Sequence, residues 1–348
     1  MMKNERPPVY YAEYLQLEKI LNAQAPESVK EGVRADDEML FIIIHQTYEL
    51  WFKQILHEIN IVRDIFAQPN VSDNAPDVYN AVSRLKRVCE ILEVLVKQIS
   101  VLETMTALDF LDFRDFLRPA SGFQSIQFKI IEALLGLQYQ SRHGQEYYLS
   151  QLSETDRLRV QAVESETSLL SLLNVWLERM PLAEHHNAWA TSHEKDWGFW
   201  QQLRHTYAKD LSEGEQNNLA VFDQLFMTQD TYPTERRLSQ LASKNALFIM
   251  MYRDHPLLQL PYELLNLLLE IDEQLSLWRY RHIHMVGRTI GKRVGTGGST
   301  GAGYLKAAAE SHMIFKEISE LTSFLMPRHQ LPQPPQEVVA CMSFASSR

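Results

Sequence analysis

Apolar residues recur every three or four positions along most of the chain, which is the spacing of one face of an α-helix. The clearest pattern runs from Glu38 to Phe66, and comparable patterns cover residues 80–103, 124–137, 164–179 and 262–287. No long run alternates apolar and polar residues with the period of two that a half-buried strand requires. The pattern therefore predicts an all-α fold, built as a bundle of long helices.

Four stretches interrupt the helical pattern. Residues 67–77 are polar with two prolines, residues 181–198 are irregular, and residues 295–303 read GTGGSTGAG. We interpret these three as connections between helices. Residues 327–348 include four prolines and are expected to form an extended tail. No linker divides the sequence, so we predict a single domain over residues 1–348.

The composition narrows the class of protein. With 348 residues, 45% hydrophobic and 22% charged, the chain has the profile of a soluble globular protein. The net charge of -10 leaves no basic excess to neutralise phosphates, which argues against nucleic-acid or anionic-membrane partners. No stretch approaches the roughly 18 uncharged apolar residues of a membrane-spanning helix.

The two cysteines, Cys89 and Cys341, exclude a disulfide scaffold and a cysteine-rich zinc site. The first residues contain no apolar core of a secretory signal. Together these features lead us to expect a protein of the reducing cytoplasm.

His45 lies within IIIHQTYELWFKQI, on a predicted helix whose neighbouring positions are almost all apolar. Phe41 and Tyr48 share its face, because they are four residues before it and three after it. A core histidine bonded to a carbonyl is one interpretation, and a polar group in the wall of an apolar pocket is the other. Glu49 is spaced to form a metal pair with His45, although two ligands alone are a weak signal.

The segment WRYRHIHMVGRTIG (278–291) contains two further histidines. His282 and His284 are two positions apart, so they point to different sides of a helix and only one is expected to face a given site. Arginines 279, 281 and 288 surround them and suit an anionic ligand, although a solvated basic helix end is the alternative.

Two arginines lie among aromatic residues in DFRDFLRPASGFQS (112–125). An arginine among aromatics is suited to hold a carboxylate in a dry pocket, so Arg114 or Arg118 can bind the substrate, and we predict that Phe110 just upstream contacts it too. Arg118 can instead lie on the surface with its stem on apolar side chains.

The glycine-rich segment lacks the lysine of a phosphate-binding loop and follows a helix, so that function is not expected. Its glycines, Gly295 among them, allow the backbone to approach a ligand closely, and Thr296 offers a hydroxyl. A surface metal site in residues 184–194, EHHNAWATSHE, is possible, but we favour an exposed connection because the spacing fits no zinc motif.

Long strings of this sequence resemble the tryptophan 2,3-dioxygenase family. They are YAEYLQLEKIL, LFIIIHQTYELWFKQILHEI, LETMTALDFLDFRDFLRPASGFQSIQFKIIE, MYRDHPLLQLPYELLNLLLEIDE, WRYRHIHMVGR, GTGGSTGAGYL and FLMPRHQLP. They occur in order and cover most of the chain outside residues 136–245.

The resemblance implies a haem-dependent dioxygenase that inserts O2 across the C2–C3 bond of L-tryptophan and yields N-formyl-L-kynurenine, the first step of tryptophan catabolism. It implies a helical bundle that encloses one b-type haem, ferrous in the active state. His282 matches the axial ligand of the iron and His284 does not. Ser121 and Gly122 match the turn beside the haem propionates, and Gly295 is assigned to the same cofactor.

The resemblance also assigns the substrate contacts. His45 matches the distal histidine that accepts a hydrogen bond from the indole N–H, and Phe41 matches the aromatic that packs on the indole. Arg114 matches the partner of the substrate carboxylate, and Thr296 matches the hydroxyl at the amino-acid end.

The implied assembly is a homotetramer, a dimer of dimers. Tyr11, Tyr14 and Leu15 match residues that a neighbouring subunit contributes to the pocket, which makes residues 1–16 a segment of intersubunit contact. Docking of this segment onto its own subunit is the alternative.

Two rival functions remain. One is a related haem-dependent oxygenase or hydroxylase of a substituted indole or tyrosine, although residues 283–290 hold no cysteine of the kind that attaches haem covalently in some such relatives. The other is a non-catalytic haem sensor, which would not need Arg114 and Thr296 together.

Overall fold

The computed structural model describes residues 7–71, 76–139, 152–179, 198–228, 230–291 and 312–342. Every regular element in these ranges is helical, and none of the residues described there forms a strand. The prediction of an all-α fold is confirmed.

The described α-helices, numbered in chain order, are α1 (Tyr11–Tyr14), α2 (Leu17–Leu21), α3 (Glu27–Lys30), α4 (Asp37–Phe66), α5 (Pro76–Leu102), α6 (Ala107–Leu111), α7 (Ile126–Leu135), α8 (Glu154–Glu164), α9 (Leu169–Glu178), α10 (Phe199–Asp210), α11 (Asn217–Phe222), α12 (Gln240–Met251), α13 (Pro256–Ile290), α14 (Lys316–Glu320) and α15 (Gln336–Met342). Short 3-10 turns occur at Arg114–Leu117, Gly122–Gln124, Glu213–Glu215, Leu321–Phe324 and Arg328–Gln330, and a π-helical turn covers Asp223–Met227.

Three long helices form the centre of the molecule: α4 with 30 residues, α5 with 27 and α13 with 35. Helix α5 packs against both α4 and α13, and α7 and α9 pack against α4. Their facing stripes are fully buried, as at Ile59, Leu85 and Leu264. Burial of such stripes is the main favourable contribution to the stability of a helical bundle.

The ends of the long helices follow from local chemistry. Helix α13 begins with Pro256, which is tolerated there because the first turn has no partner for its missing N–H. It ends at Gly291, whose φ of 58° is unfavourable for other residues. At the start of α4, the buried Glu38 carboxylate accepts hydrogen bonds from the backbone N–H groups of Glu27 and Ser28, at 2.8 and 2.9 Å. It thereby stabilises the amino end of the short helix α3.

Two predictions about individual segments are wrong. The helix predicted over residues 164–179 starts too early, because Glu164 is the last residue of α8 and the next helix, α9, begins only at Leu169. Ser168 starts the new helix by accepting a hydrogen bond from the N–H of Ser171.

The tail from residue 327 is not extended throughout, since Arg328–Gln330 forms a 3-10 turn and Gln336–Met342 forms α15. Val338 and Met342 are buried at helical spacing, and their contact with the core favours the helix. The predicted irregular connection, residues 181–198, lies outside the described residues except for Gly198. The glycine-rich segment, residues 295–303, lies wholly outside them. Among the described helices, none is long and apolar enough to cross a membrane.

Candidate active site

His45 lies on α4, one turn after Phe41, and the two rings have centroids 4.1 Å apart. The imidazole Nδ1 lies 2.7 Å from the carbonyl oxygen of Phe41. A carbonyl accepts only, so Nδ1 carries the proton in this contact and the other ring nitrogen, Nε2, has a free lone pair. The helix backbone therefore fixes which nitrogen of His45 can accept a hydrogen bond from a ligand.

Three phenylalanines form an aromatic wall beside His45. The ring centroid of Phe41 is 5.7 Å from that of Phe110 and 5.6 Å from that of Phe113, and Phe110 and Phe113 are 5.4 Å apart. Phe110 lies there because Thr106 and Asp109 cap the first turn of α6, where the side chain of each accepts a hydrogen bond from the backbone N–H of the other. The wall is apolar and suits the face of a flat aromatic ligand.

Arg114 directly follows this wall, in the 3-10 turn Arg114–Leu117, and only 5% of its surface is exposed. Arg118 is exposed and pairs at 3.1 Å with Asp115, also on the surface. The structure thus distinguishes two arginines, either of which could hold a carboxylate on the sequence alone. Arg114 is the buried cation, and Arg118 is a surface side chain.

Glu49 does not form the metal pair with His45 that its spacing allows. One carboxylate oxygen accepts from the hydroxyl of Ser125 at 2.6 Å, and the other accepts from the amide of Gln127 at 2.7 Å. Ser121 and Gly122 lie in the turn just before, where Ser121 Oγ accepts from the N–H of Phe123. Glu49 therefore fixes this turn against α4. Within the described ranges, no group of three potential ligands could hold a metal ion.

His282 lies on α13 with its ring stacked on that of Trp278, at a centroid distance of 5.1 Å and an interplanar angle of 7°. Its Nδ1 atom is buried and has no hydrogen-bond partner among the described residues. His284 is exposed and contacts Tyr280 instead, with ring centroids 4.4 Å apart. The two histidines point to different sides of the helix, as their spacing predicted.

The pKa values of His45 and His282 are both lowered. The pKa of His282 is lowered to about 4, chiefly by burial and to a smaller degree by the charge of His45. Burial also lowers the pKa of His45, although its side chain has accessible surface. Both imidazoles are therefore neutral at neutral pH.

The arginines around His282 pair with protein carboxylates. Arg279 forms a buried ion pair of 2.6 Å with Glu132 on α7. Arg281 lies 3.0 Å from Glu103, and Arg288 lies 3.9 Å from the same carboxylate. The sequence suggested an anionic ligand or a solvated helix end for this set, and the structure gives it intramolecular partners.

At the amino terminus, Tyr11 and Tyr14 are 75% and 74% exposed. Leu15 is half-buried, and α1 has no buried residue. The two tyrosines therefore bury little surface against the described part of their own chain. Thr296, Gly295 and the histidine-rich residues 184–194 lie outside the described residues.

A sequence profile of the tryptophan 2,3-dioxygenase family matches residues 2–325 of the chain. The tryptophan 2,3-dioxygenase of Alteromonas mediterranea is 40% identical over 370 aligned positions, covering 99% of each chain. That of Dictyostelium discoideum is 42% identical and covers 97% of this chain and 89% of its own length. The rat protein of the same name is 41% identical, covering 93% and 84%.

The chain belongs to the tryptophan 2,3-dioxygenase family. This result confirms the resemblance stated from the sequence, and it makes the protein an enzyme, an oxidoreductase of the dioxygenase type. It also disfavours the rival hydroxylase, since relatives from bacteria and eukaryotes bear the same dioxygenase name.

The residues present fit the haem on which the tryptophan 2,3-dioxygenase family depends. A haem iron needs a neutral imidazole as its axial ligand, and burial keeps His282 neutral. Its Nδ1 is buried, and no hydrogen bond from the part of the chain that the structure describes competes for the ring. His45 and the aromatic wall provide a lining that is suited to an aromatic substrate.

Sequence reasoning missed two residues that shape this dioxygenase site. Trp278 was not singled out, although its position four residues before His282 is the spacing of stacked neighbours on a helix. The part played by Glu49 was also missed, because its partners Ser125 and Gln127 are distant in sequence and only the folded chain brings them together.

Proposed function

We propose that the protein inserts both atoms of O2 across the C2–C3 bond of L-tryptophan and releases N-formyl-L-kynurenine, the first step of tryptophan catabolism by the kynurenine route. The observation that carries this proposal is the grouping of His45, whose Nε2 is its acceptor nitrogen, with a wall of phenylalanines and the buried Arg114 that directly follows the wall. A flat, electron-rich indole with a carboxylate tail matches each of these features.

We propose haem b as the cofactor, with His282 as its axial protein ligand. When bound, the ferrous haem supplies the binding and activation of O2. The turn at Ser121 and Gly122 is assigned to the edge of the haem, together with Gly295. The hydrogen bonds of Glu49 to Ser125 and Gln127 support this assignment, because they keep the turn in one position.

His45 holds the indole N–H in this proposal. Its Nδ1 donates to the carbonyl of Phe41, so Nε2 is the acceptor that faces the substrate. The lowered pKa keeps that lone pair available. Phe41 and Phe110 pack against the indole ring and exclude water from it. The indole itself is electron-rich, so the protein's main contribution is orientation rather than removal of a proton.

Arg114 pairs with the substrate carboxylate, and Thr296 contacts the amino-acid end. Burial supports the role of Arg114, since a charge–charge contact is stronger where water is excluded. A guanidinium can also bind both carboxylate oxygens at once, which fixes the direction of the substrate.

We propose a homotetramer, a dimer of dimers, in which residues 1–16 of one subunit reach the pocket of a neighbour. The exposure of Tyr11 and Tyr14 supports it, because an isolated subunit leaves these rings in water. For the compartment we propose the cytoplasm. Cys89 is buried as a free thiol whose Sγ donates to the carbonyl of Leu267, and this suits a reducing environment.

The test is turnover by the purified, haem-loaded and reduced protein under 18O2. L-tryptophan should give a product with the near-ultraviolet absorbance of N-formylkynurenine and two 18O atoms. L-tyrosine and substituted indoles are the comparison substrates. A product with a single 18O atom would indicate the rival hydroxylase, and haem binding without any turnover would indicate the sensor.

A further inference from the structure

Trp278 and His282 occupy successive turns of α13, and their rings are nearly parallel. The centroids are 5.1 Å apart and the planes differ by 7°. This is a face-to-face contact between an indole and an imidazole, which restricts rotation of the imidazole about its side-chain bonds.

No hydrogen bond from the described residues supplies that restriction. In most metal-binding histidines the nitrogen that does not bind the metal donates to a carboxylate or a carbonyl, and this bond sets the ring orientation. Nδ1 of His282 is buried, and no residue in the described ranges offers it such a partner. Orientation of the ring must therefore come from packing.

Trp278 is itself held from two sides, so it can serve as a fixed surface. The ring of Phe128 on α7 lies 5.0 Å from it, and that of Tyr48 on α4 lies 6.1 Å from it in an edge-to-face contact. The Tyr48 hydroxyl in turn donates to the carbonyl of Leu95 on α5 at 2.9 Å. Four helices thus determine the position of the indole.

We propose that Trp278 is the positioning residue of His282, and that its indole face performs the orienting function that a hydrogen bond performs for other metal-binding histidines. The proposal rests on the proposed function, in which His282 is the axial ligand of the haem. Without an acceptor at Nδ1, the imidazole keeps its proton and donates less electron density to the iron. Such a ligand favours the ferrous state that O2 binding requires.

The same helix offers a matched control. Tyr280 and His284 repeat the aromatic–histidine pair at the same four-residue spacing, with centroids 4.4 Å apart, on the exposed side of α13. Replacing Tyr280 removes a comparable contact from the same helix and leaves the contact between Trp278 and His282 in place.

The experiment uses the haem-loaded protein and the variants Trp278→Leu, Trp278→Phe and Tyr280→Leu. The rate of haem transfer to excess apomyoglobin reports how tightly the protein binds haem. The iron–histidine stretching band of the ferrous protein reports the orientation of the His282 ring. Trp278→Leu should accelerate haem loss by about 10- to 100-fold, the range for losing a group that orients a metal ligand. It should also broaden the band. Trp278→Phe should retain a haem-transfer rate and a stretching band close to those of the wild type, and Tyr280→Leu should match the wild type in both.

A wild-type band and transfer rate in Trp278→Leu would overturn the proposal, and so would an equal effect of Tyr280→Leu. If Trp278→Leu does not fold, Trp278→Met fills more of the volume without an aromatic face and carries the same expectation. His282→Ala separates this inference from the proposed function. Retention of haem and of the band in His282→Ala would remove His282 as ligand, whereas haem loss there with an unaffected Trp278→Leu would remove only the positioning role.

Discussion

Nδ1 of His45 lies 2.7 Å from the carbonyl oxygen of Phe41, one turn earlier on α4. This bond belongs to the neutral ring as well as to the charged one, but only the neutral ring leaves Nε2 as an acceptor. Burial lowers the pKa of His45, against smaller opposing effects of the Phe41 carbonyl and of Glu49. The site is therefore built to keep the acceptor form.

We expect kcat/KM to depend on pH through His45. Because its pKa is lowered, the acceptor form persists as the pH falls through the ordinary range of histidine, and activity should decline only below it. His45→Ala should abolish this acid limb and reduce kcat/KM by about tenfold, the value of one hydrogen bond of roughly 1–1.5 kcal/mol. The measurement is kcat/KM for tryptophan between pH 5 and 8. An acid limb that persists in His45→Ala would assign the titration to another group.

The two histidines of α13 should differ in their effect on the cofactor. His282→Ala should lose haem or bind it weakly, because His282 is the protein ligand proposed for the iron. His284→Ala is the matched control, because this residue contacts Tyr280 on the exposed side of the helix. The absorbance ratio of haem to protein after purification checks both variants. Equal haem content in the two would contradict the assignment of His282.

The substrate clamp is tested by Arg114→Ala against Arg118→Ala. Arg114 is buried, so its loss should leave haem content intact and raise the KM for tryptophan, at a cost of about 2–5 kcal/mol for one partner of a buried charge pair. Arg118 is exposed and paired with Asp115, so Arg118→Ala should have kinetics close to wild type. A large rise in KM only for Arg118→Ala would move the carboxylate site to the surface turn.

Sequence patterns predicted the long amphipathic helices well and the uniformly buried ones poorly. The stripes of α4 and α13 are visible because one face of each helix is exposed. Helix α12 (Gln240–Met251) was not predicted, since most of its residues from Ala242 to Met251 are buried. A helix that is buried on all sides carries no stripe that periodicity could detect.

Part of the candidate site could also be predicted from the sequence. Motif resemblance pointed to His45, Arg114 and His282, and burial and geometry agree with the roles proposed for them. The ion pair of Arg279 with Glu132 could not be predicted, because it joins α13 to a residue 147 positions earlier in the chain. Local spacing carries no signal for such a contact, and only the packing of α7 against α13 creates it.

The last prediction concerns the amino-terminal segment. Tyr11 and Tyr14 lie on a short helix with no buried residue, so an isolated subunit gains little from ordering them. Deletion of residues 1–16 should therefore leave a folded, haem-binding protein, because the segment adds nothing to the core of its own chain. Activity should fall strongly and assembly should weaken, as measured by turnover and by sedimentation.

Mixing this deletion variant with Arg114→Ala shows whether residues 1–16 complete the pocket of a neighbouring subunit or of their own. If one subunit donates its amino terminus to the pocket of another, some pockets in mixed oligomers combine an intact Arg114 with a donated segment. Activity should then exceed that of either variant alone. If each segment serves its own chain, every subunit lacks either the segment or Arg114, and no mixture can complete a pocket. Exchange of subunits is verified by co-purification through a tag on one variant only. An absence of recovery in oligomers shown to be mixed would therefore establish that the segment acts within its own subunit.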